Sequence, residues 1–370
     1  MKLCEKCLNR LGNRFDRAER ENCLICSGLL WKTGEIANRI VERLKYHEFD
    51  AFMVGCRMEG SLKALENYIF EEIGIEESRS VKYDFNREIS KSIAVLTGKK
   101  HENVKPDIQI IYNPEKNDFE IKISPVYIYG RYKKRVRNIP QTRWFCKECK
   151  DMGCERCNYT GKMYKTSVEE LIANSTIGFF KGSGAVLHGS GREDVDARML
   201  GNGRPFILEI QNPEKRKIDL KELEKVINEN ARGKVAVSDL RFTGSEEVEK
   251  IKAGSFRKTY RVKIEFKKEI DEERLLKALK SIANTEIMQR TPERVLHRRA
   301  DILRKKRICD IRLIHFKDRM AVVEIDAEAG LYIKELISGD NGRTTPSLSE
   351  VLNNYAKVSK LDVIKVWDNE

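Results

Sequence analysis

The stretch HGSGREDVDARMLGNGRPF, residues 188–206, is chemically the densest in the chain. Its glycines allow close backbone approach, and its acids Glu193, Asp194 and Asp196 lie between arginines. Three readings are open on residue type alone. One is a charged surface loop, the second a magnesium-binding pair made by Asp194 and Asp196, and the third a single nucleophilic or acid–base carboxylate held by neighbouring cations. Outward from this stretch, Ser167 and Glu170 form a capping-box signature that opens a helix at SVEELI. From there to the end, helical and strand patterns alternate without low-complexity sequence or repeat, which implies one larger α+β domain.

Toward the start, Ile36, Ile40, Val41 and Leu44 recur at helical spacing, and 51–54 reads as a buried strand. A second helix is expected from Asn86, with Ile89, Ile93 and Leu96 on one face. Strands are expected over 107–112 and 119–123, joined by a turn at Asn113, Pro114 and Asn117. Helices alternating with strands make this an α/β-type module.

Across its 370 residues the chain carries 71 Lys and Arg against 58 Asp and Glu, a net charge of +13, so its field attracts polyanions. Nucleic acid and anionic lipid both qualify. No run approaches the roughly 18 uninterrupted apolar residues of a membrane helix, and the opening MKLCEKCLNR lacks the apolar stretch of a secretory signal. A cytoplasmic protein without a membrane partner is expected. Two basic runs stand out: RYKKRVRN (131–138), with five cations in eight residues, and 294–307, with seven in fourteen. Each reads either as a solvated charged segment or as a phosphate-contacting surface.

Eight of the ten cysteines form four C-x-x-C pairs, which in a reducing compartment read as metal ligands before disulfides. Cys4, Cys7, Cys23 and Cys26 have the spacing C-x2-C-x15-C-x2-C of a closed zinc tetrahedron, and residues 1–30 have little room for a core without it. Cys146, Cys149, Cys154 and Cys157 form a shorter C-x2-C-x4-C-x2-C knuckle. Four thiolates leave no open coordination position, so either zinc would be structural; an iron–sulfur cluster is the rival occupant. Cys56 and Cys309 are expected in the core.

The stretch GSGREDVDARMLGNGRPF resembles the catalytic loop of the archaeal and eukaryotic THUMP-containing tRNA pseudouridine synthases, which modify uridines 54 and 55 of the TΨC loop. The shared G-R-x-D core falls on Gly191, Arg192, Glu193 and Asp194, which implies that Asp194 is the catalytic aspartate. IYGRYKKRVRNIPQTRW (128–144) is similar to the basic segment before that family's catalytic domain. KTYRV (258–262) resembles the motif supplying an active-site tyrosine, here Tyr260, and QRTPERVLHRRAD (289–301) is similar to a further basic motif. GLYIKELISGDNGRTTPS (330–347) resembles the motif that sets a basic residue, Lys334, against the aspartate. NPEKNDFEIKISPVYIYGRY looks like part of a THUMP module.

The resemblance implies a pseudouridine synthase catalytic domain with a mixed, largely antiparallel sheet over 131–370. Ahead of it come a zinc-bearing segment (1–30) and a THUMP-type α/β RNA-binding domain (31–130). It implies structural zinc in one or both cysteine sets, no organic cofactor, tRNA as partner, and a monomer. The reaction breaks the bond from C1′ to N1 and rejoins uracil through C5, so it needs no redox group. P-loop and dinucleotide-binding signatures are absent from the sequence.

Asp194 would attack as an ionised carboxylate, its pKa lowered by Lys334; Lys334 could instead pair with Glu335. Tyr260 would carry the flipped base, or be an ordinary core tyrosine. Arg192 would fill the vacated stack or hold a phosphate, or simply be exposed. Affinity would come from Arg131, Tyr132, Lys133, Lys134, Arg135, Arg137, Arg294, Arg298 and Arg299, contacts that position RNA without reading sequence. The rival readings are a THUMP-type tRNA methyltransferase or thiolase, for which KGSGAV (181–186) is the nearest thing to a cofactor loop, and a noncatalytic zinc RNA-binding protein.

Overall fold

The computed structural model describes residues 1–11, 15–74, 79–283 and 285–367. They form two units that part between Val126 and Tyr127, with residues 179–184 and 210–218 belonging to the first. The first unit contains α1 (Glu5–Leu11), α2 (Thr33–Leu44), β1 (Ala51–Cys56), α3 (Gly60–Ile73), α4 (Val81–Thr97), β2 (Lys100–His101), β3 (Ile108–Asn113) and β4 (Asp118–Ile123). Its sheet runs β2-β1-β3-β4, with β1 parallel to both β2 and β3 and β4 antiparallel.

The expected helical face of α2 is present: Ile36, Ile40 and Leu44 are buried. Helix α4 starts earlier than the sequence reading placed it, because Ser80 accepts a hydrogen bond from the Tyr83 amide and Val81 and Phe85 bury ahead of Asn86. Leu96, expected on the buried face, is exposed in the last turn. In the β3–β4 turn the Asn113 side chain accepts from the amides of Glu115 and Lys116, and Asn117 takes a left-handed φ of 46°. Helix α3 is an addition to the two helices expected in this unit. Residues 1–30, expected as a separate cap, share one apolar core with α2, α4 and the sheet: Leu3, Leu8, Ile25 and Leu30 pack in the same cluster as Ile40, Phe52 and Phe85.

The second unit is built on β5 (Val126–Lys134), α5 (Val168–Phe180), β6 (Gly184–Gly189), β7 (Arg198–Gln211), α6 (Leu220–Asn230), β8 (Val235–Thr243), α7 (Ser245–Ala253), β9 (Lys258–Phe266), α8 (Glu272–Ala283), β10 (Ile287–Arg290), β11 (Leu303–Lys306), β12 (Ile308–Lys317), β13 (Met320–Ala327), α9 (Ile333–Ser338), β14 (Thr344–Thr345), α10 (Leu348–Leu352) and β15 (Ala356–Val366). The main sheet runs β8-β5-β7-β15-β9-β13-β12, with β6 beside β7. It is mixed and largely antiparallel, with β15 and β7 parallel. A small sheet, β11-β10-β14, stands apart. The expected boundary at 130/131 falls inside β5, four residues past the point where the two units part. Ser167 caps α5 as its sequence signature implies.

Cys56 is buried, but Cys309 is exposed, against expectation. It follows Ile308 at a register shift between β12 and β13, and such a bulge leaves the extra residue unpaired and re-aimed.

Candidate active site

The loop between β6 and β7 rests on buried charge. Glu193 accepts from the Tyr132 hydroxyl and from Arg204 Nε, each at 2.9 Å, and Lys134 Nζ stands 3.8 Å from its other oxygen. Lys134 donates to the carbonyls of Ile139, Asp194 and Val195. Gln141 donates to the Gly191 carbonyl, Arg204 to that of Ser190 and Arg137 to that of Asp196. The bonds from Lys134, Arg204 and Arg137 are charge-assisted, the strong kind, and with that of Gln141 they fix the backbone on both sides of Asp194. Gly191 sits at φ 84°, open to glycine at little cost. A Cβ on Gly201 would fall 1.6 Å from the Ile364 carbonyl oxygen, so only glycine fits there.

This arrangement corrects the reading of the first basic run. Tyr132 and Lys134 are fully buried. Arg131 donates to the carbonyls of Asn202, Gly203 and Val366, and Arg137 pairs with Asp362 at 2.6 Å. These four hold the fold and do not offer their heads to phosphate. Lys133 is half-buried, and only Arg135 of the expected contacts in this run is exposed.

Above the loop lies a cavity of about 250 Å³ lined by Asp194, Tyr260, Lys258, Arg294, Lys334 and Arg192, among others. That is small beside pockets for drug-sized ligands, about 300–1,000 Å³, and suits a single extruded nucleotide. Arg294 donates to Asp194 at 2.9 Å and to Glu335 at 2.7 Å. Lys334 stands 3.4 Å from Asp194 and 2.8 Å from Asp196. Burial alone would push the Asp194 carboxyl up, but Arg294 and then Lys334 outweigh it and hold it below the usual carboxylate range. The Tyr260 hydroxyl is pushed up to about 12, first by burial, with the Asp194 charge adding to the rise and Arg204 opposing it.

The structure thus brings Asp194, Tyr260, Lys334 and Arg192 together around one cavity. Lys334 does not pair with Glu335; Arg294 does. Arg294, expected to contact RNA, clamps Asp194 while its side chain stays 36% exposed. Asp196 and Asp194 share Lys334, so the residues do not form the magnesium pair that was one open reading. At the rim, Arg192, Arg298 and Arg299 find no carboxylate partner among the described residues; Arg298 lies over the Trp144 ring, and Arg299 donates to the Tyr332 hydroxyl. Sequence reasoning missed Glu193, Arg204 and Gln141. Their only signal is proximity to the loop, which does not distinguish a buried brace from a surface charge.

Family models for the Pus10 C-terminal region and for the archaeal Pus10 THUMP domain match residues 127–367 and 36–113. The chain is 51% identical over 366 residues to the tRNA pseudouridine synthase Pus10 of Archaeoglobus fulgidus, covering 99% of this chain and 100% of that one. The chain belongs to the Pus10 family of tRNA pseudouridine synthases. The Methanothrix thermoacetophila member is 43% identical over 98% of this chain and 80% of its own. The Methanopyrus kandleri member is 42% identical over 95% and 82%. A solved Cbf5–Nop10–Gar1 complex matches distantly, with TM-score 0.35 and 15% identity over 54% of this chain and 45% of that one.

The cofactor loop demanded by a family of methyltransferases or thiolases is not formed by 181–186. Helix α5 ends at Phe180 and strand β6 begins at Gly184, the reverse of the strand–glycine loop–helix order that seats a phosphate on a helix N-terminus.

In both cysteine sets the four sulfurs lie within 4.8 Å of one another. Sulfurs at about 2.3 Å from a tetrahedral zinc are separated by about 3.8 Å. Cys4–Cys26 at 3.7 Å, Cys146–Cys154 at 3.8 Å and Cys149–Cys157 at 3.7 Å match that spacing. The residues present fit zinc in both places. Among the described residues the second set clusters with nothing but its own cysteines, so a bound metal would be the core of that knuckle.

Proposed function

We propose that this chain isomerises uridine to pseudouridine in the TΨC loop of tRNA, at position 54, 55 or both, with Asp194 as the attacking group. The observation that carries this reading is an aspartate at the cavity floor, ionised by two cations and held by a braced loop. Its oxygen adds to the ribose C1′ or drives glycal formation, and the uracil turns before C5 bonds to C1′. Tyr260, neutral at physiological pH, is the surface on which the flipped base lies. Lys334 and Arg294 orient the carboxylate. Arg192, at the rim with Arg298 and Arg299, holds the phosphates of the extruded nucleotide.

Pure protein incubated with an unmodified tRNA transcript and no added cofactor tests this by pseudouridine mapping. Wild type converts TΨC-loop uridine, and Asp194→Ala does not. Conversion by Asp194→Ala at the wild-type rate sinks the assignment.

We assign zinc to both cysteine sets, a cytoplasmic location and a monomer. Cysteine clusters without disulfides and a tRNA substrate fit a reducing compartment. Among the described residues no helix is long and apolar enough to cross a membrane. Chelation should raise hydrogen exchange across 144–164 far more than in the first unit. Light scattering should return one 42.9 kDa chain.

A further inference from the structure

Among the described residues, two of the cations that line the cavity are buried, Arg204 and Lys258. Arg204 has the carboxylate of Glu193. Lys258 has none: its Nζ donates to the Phe256 carbonyl at 2.8 Å, and among the described residues no carboxylate lies within ion-pair distance. A single hydrogen bond leaves the remaining donors of an ammonium unsatisfied by the protein. Burial, reinforced by Arg204, pushes its pKa down to about 7. A buried cation without a counter-charge weakens a fold, and such residues in clefts are candidates for chemistry.

Its place on the strand says what it faces. Lys258 precedes Tyr260 by two residues on β9, and alternate residues of a strand share one face. Both side chains line the same cavity as Asp194. A base lying on the Tyr260 ring therefore presents its edge to the neighbouring position along the pleat.

We propose that Lys258 donates a hydrogen bond to a carbonyl oxygen of the target uracil and stabilises the negative charge the base carries once it leaves C1′. This rests on the reading that the cavity receives the target uridine. When the bond from C1′ to N1 breaks, its electron pair departs with the uracil and spreads over N1 and the carbonyl oxygens. Those oxygens gain most from a cation that is already in place and needs no reorganisation. The pair then returns as the new bond from C5 to C1′, Asp194 leaves C1′ with its own pair, C5 loses its proton and N1 gains one. Atoms and electrons balance without a co-reactant.

The test compares wild type, Lys258→Met, Lys258→Arg and Asp194→Asn by single-turnover pseudouridine formation, tRNA affinity and thermal melting. Lys258→Met keeps the aliphatic stem and removes the buried charge, so it should melt at the wild-type temperature or above. It should bind tRNA within about threefold of wild type and turn over on the order of 10²–10³-fold more slowly, the loss seen when one oxyanion donor is removed. Lys258→Arg should recover part of that rate. A wild-type rate in Lys258→Met beside an inactive Asp194→Asn overturns the inference. So does a lower melting temperature, which makes Lys258 a tie for the Phe256 carbonyl, or weakened affinity with an unchanged rate at saturating tRNA, which makes it a phosphate contact. An active Asp194→Asn would instead remove the reading of the cavity on which the inference stands.

Discussion

Two basic runs of similar density meet opposite fates in this chain. Residues 131–137 lie on and just after β5, an interior strand hydrogen-bonded between β8 and β7, where Arg131, Tyr132 and Lys134 are buried. Residues 294–307 lie on a short 3-10 turn (Glu293–Arg298) and on β11, an edge strand of the small sheet, and leave Arg298, Arg299, Lys305 and Arg307 exposed. Cation density is similar; position in a sheet is not. Long basic side chains cross an interior on their aliphatic stems when carbonyls and a carboxylate wait at the far end, and the loop at 190–197 supplies both. The lesson is that a cluster of cations is open to phosphate only where the segment carrying it has a free side.

The comparison breaks most sharply at Lys134. Lys134→Met removes the donor to two loop carbonyls and to that of Ile139 and leaves Glu193 with one cation fewer, so urea unfolding should show a loss of about 3–5 kcal/mol, as for a broken buried pair. The salt dependence of residual tRNA binding should stay as in wild type. An unchanged melt with a shallower salt dependence would return this run to the RNA surface.

Arg294 is the exception within the exposed run, since its guanidinium turns inward to Asp194 and Glu335. Arg294→Gln should cut the rate on the order of 10²-fold, as for a misplaced catalytic group. It should also move the acid limb of the pH–rate profile upward. The sign follows from the cation: Arg294 is the foremost charge holding the Asp194 carboxyl down, so without it protonation, and loss of the nucleophile, begin at higher pH. An unmoved acid limb would show that Asp194 is not the titrating group.

Arg298→Ala and Arg299→Ala, each at the rim, should leave stability within about 0.5 kcal/mol. Each should lower the slope of log affinity against log salt by about one. Arg135→Ala should have the smallest effect, a slope change of at most about one with no change in melting; a larger loss than either rim variant would reverse the ranking of the two runs.

Much of the fold was legible in sequence because helix α2, strand β1 and the β3–β4 turn carry their own periodicity and turn residues. The α5 cap at Ser167 and Glu170 was equally local. Strand β5 is hidden from the sequence: half-buried Tyr127 and Tyr129 alternate with buried Val126, Ile128 and Gly130, but the charges that follow look like a linker. Residues 210–218 join the first unit through contacts distant in sequence, including the ion pair of Arg216 with Asp107, which no local pattern announces. Asp194, Tyr260 and Lys334 were named through resemblance to a family. The pairing of Arg294 with Glu335, 41 residues away, has no local sequence signal.

The brace of Tyr132, Lys134, Glu193 and Arg204 also restricts how this sequence can drift. An apolar set of matching shape could fill the same space, yet each single step toward it strands a partner without its counterpart. Lineages carrying this loop are therefore held to their four polar residues as a group, by the height of the intermediates and not by the depth of the final state.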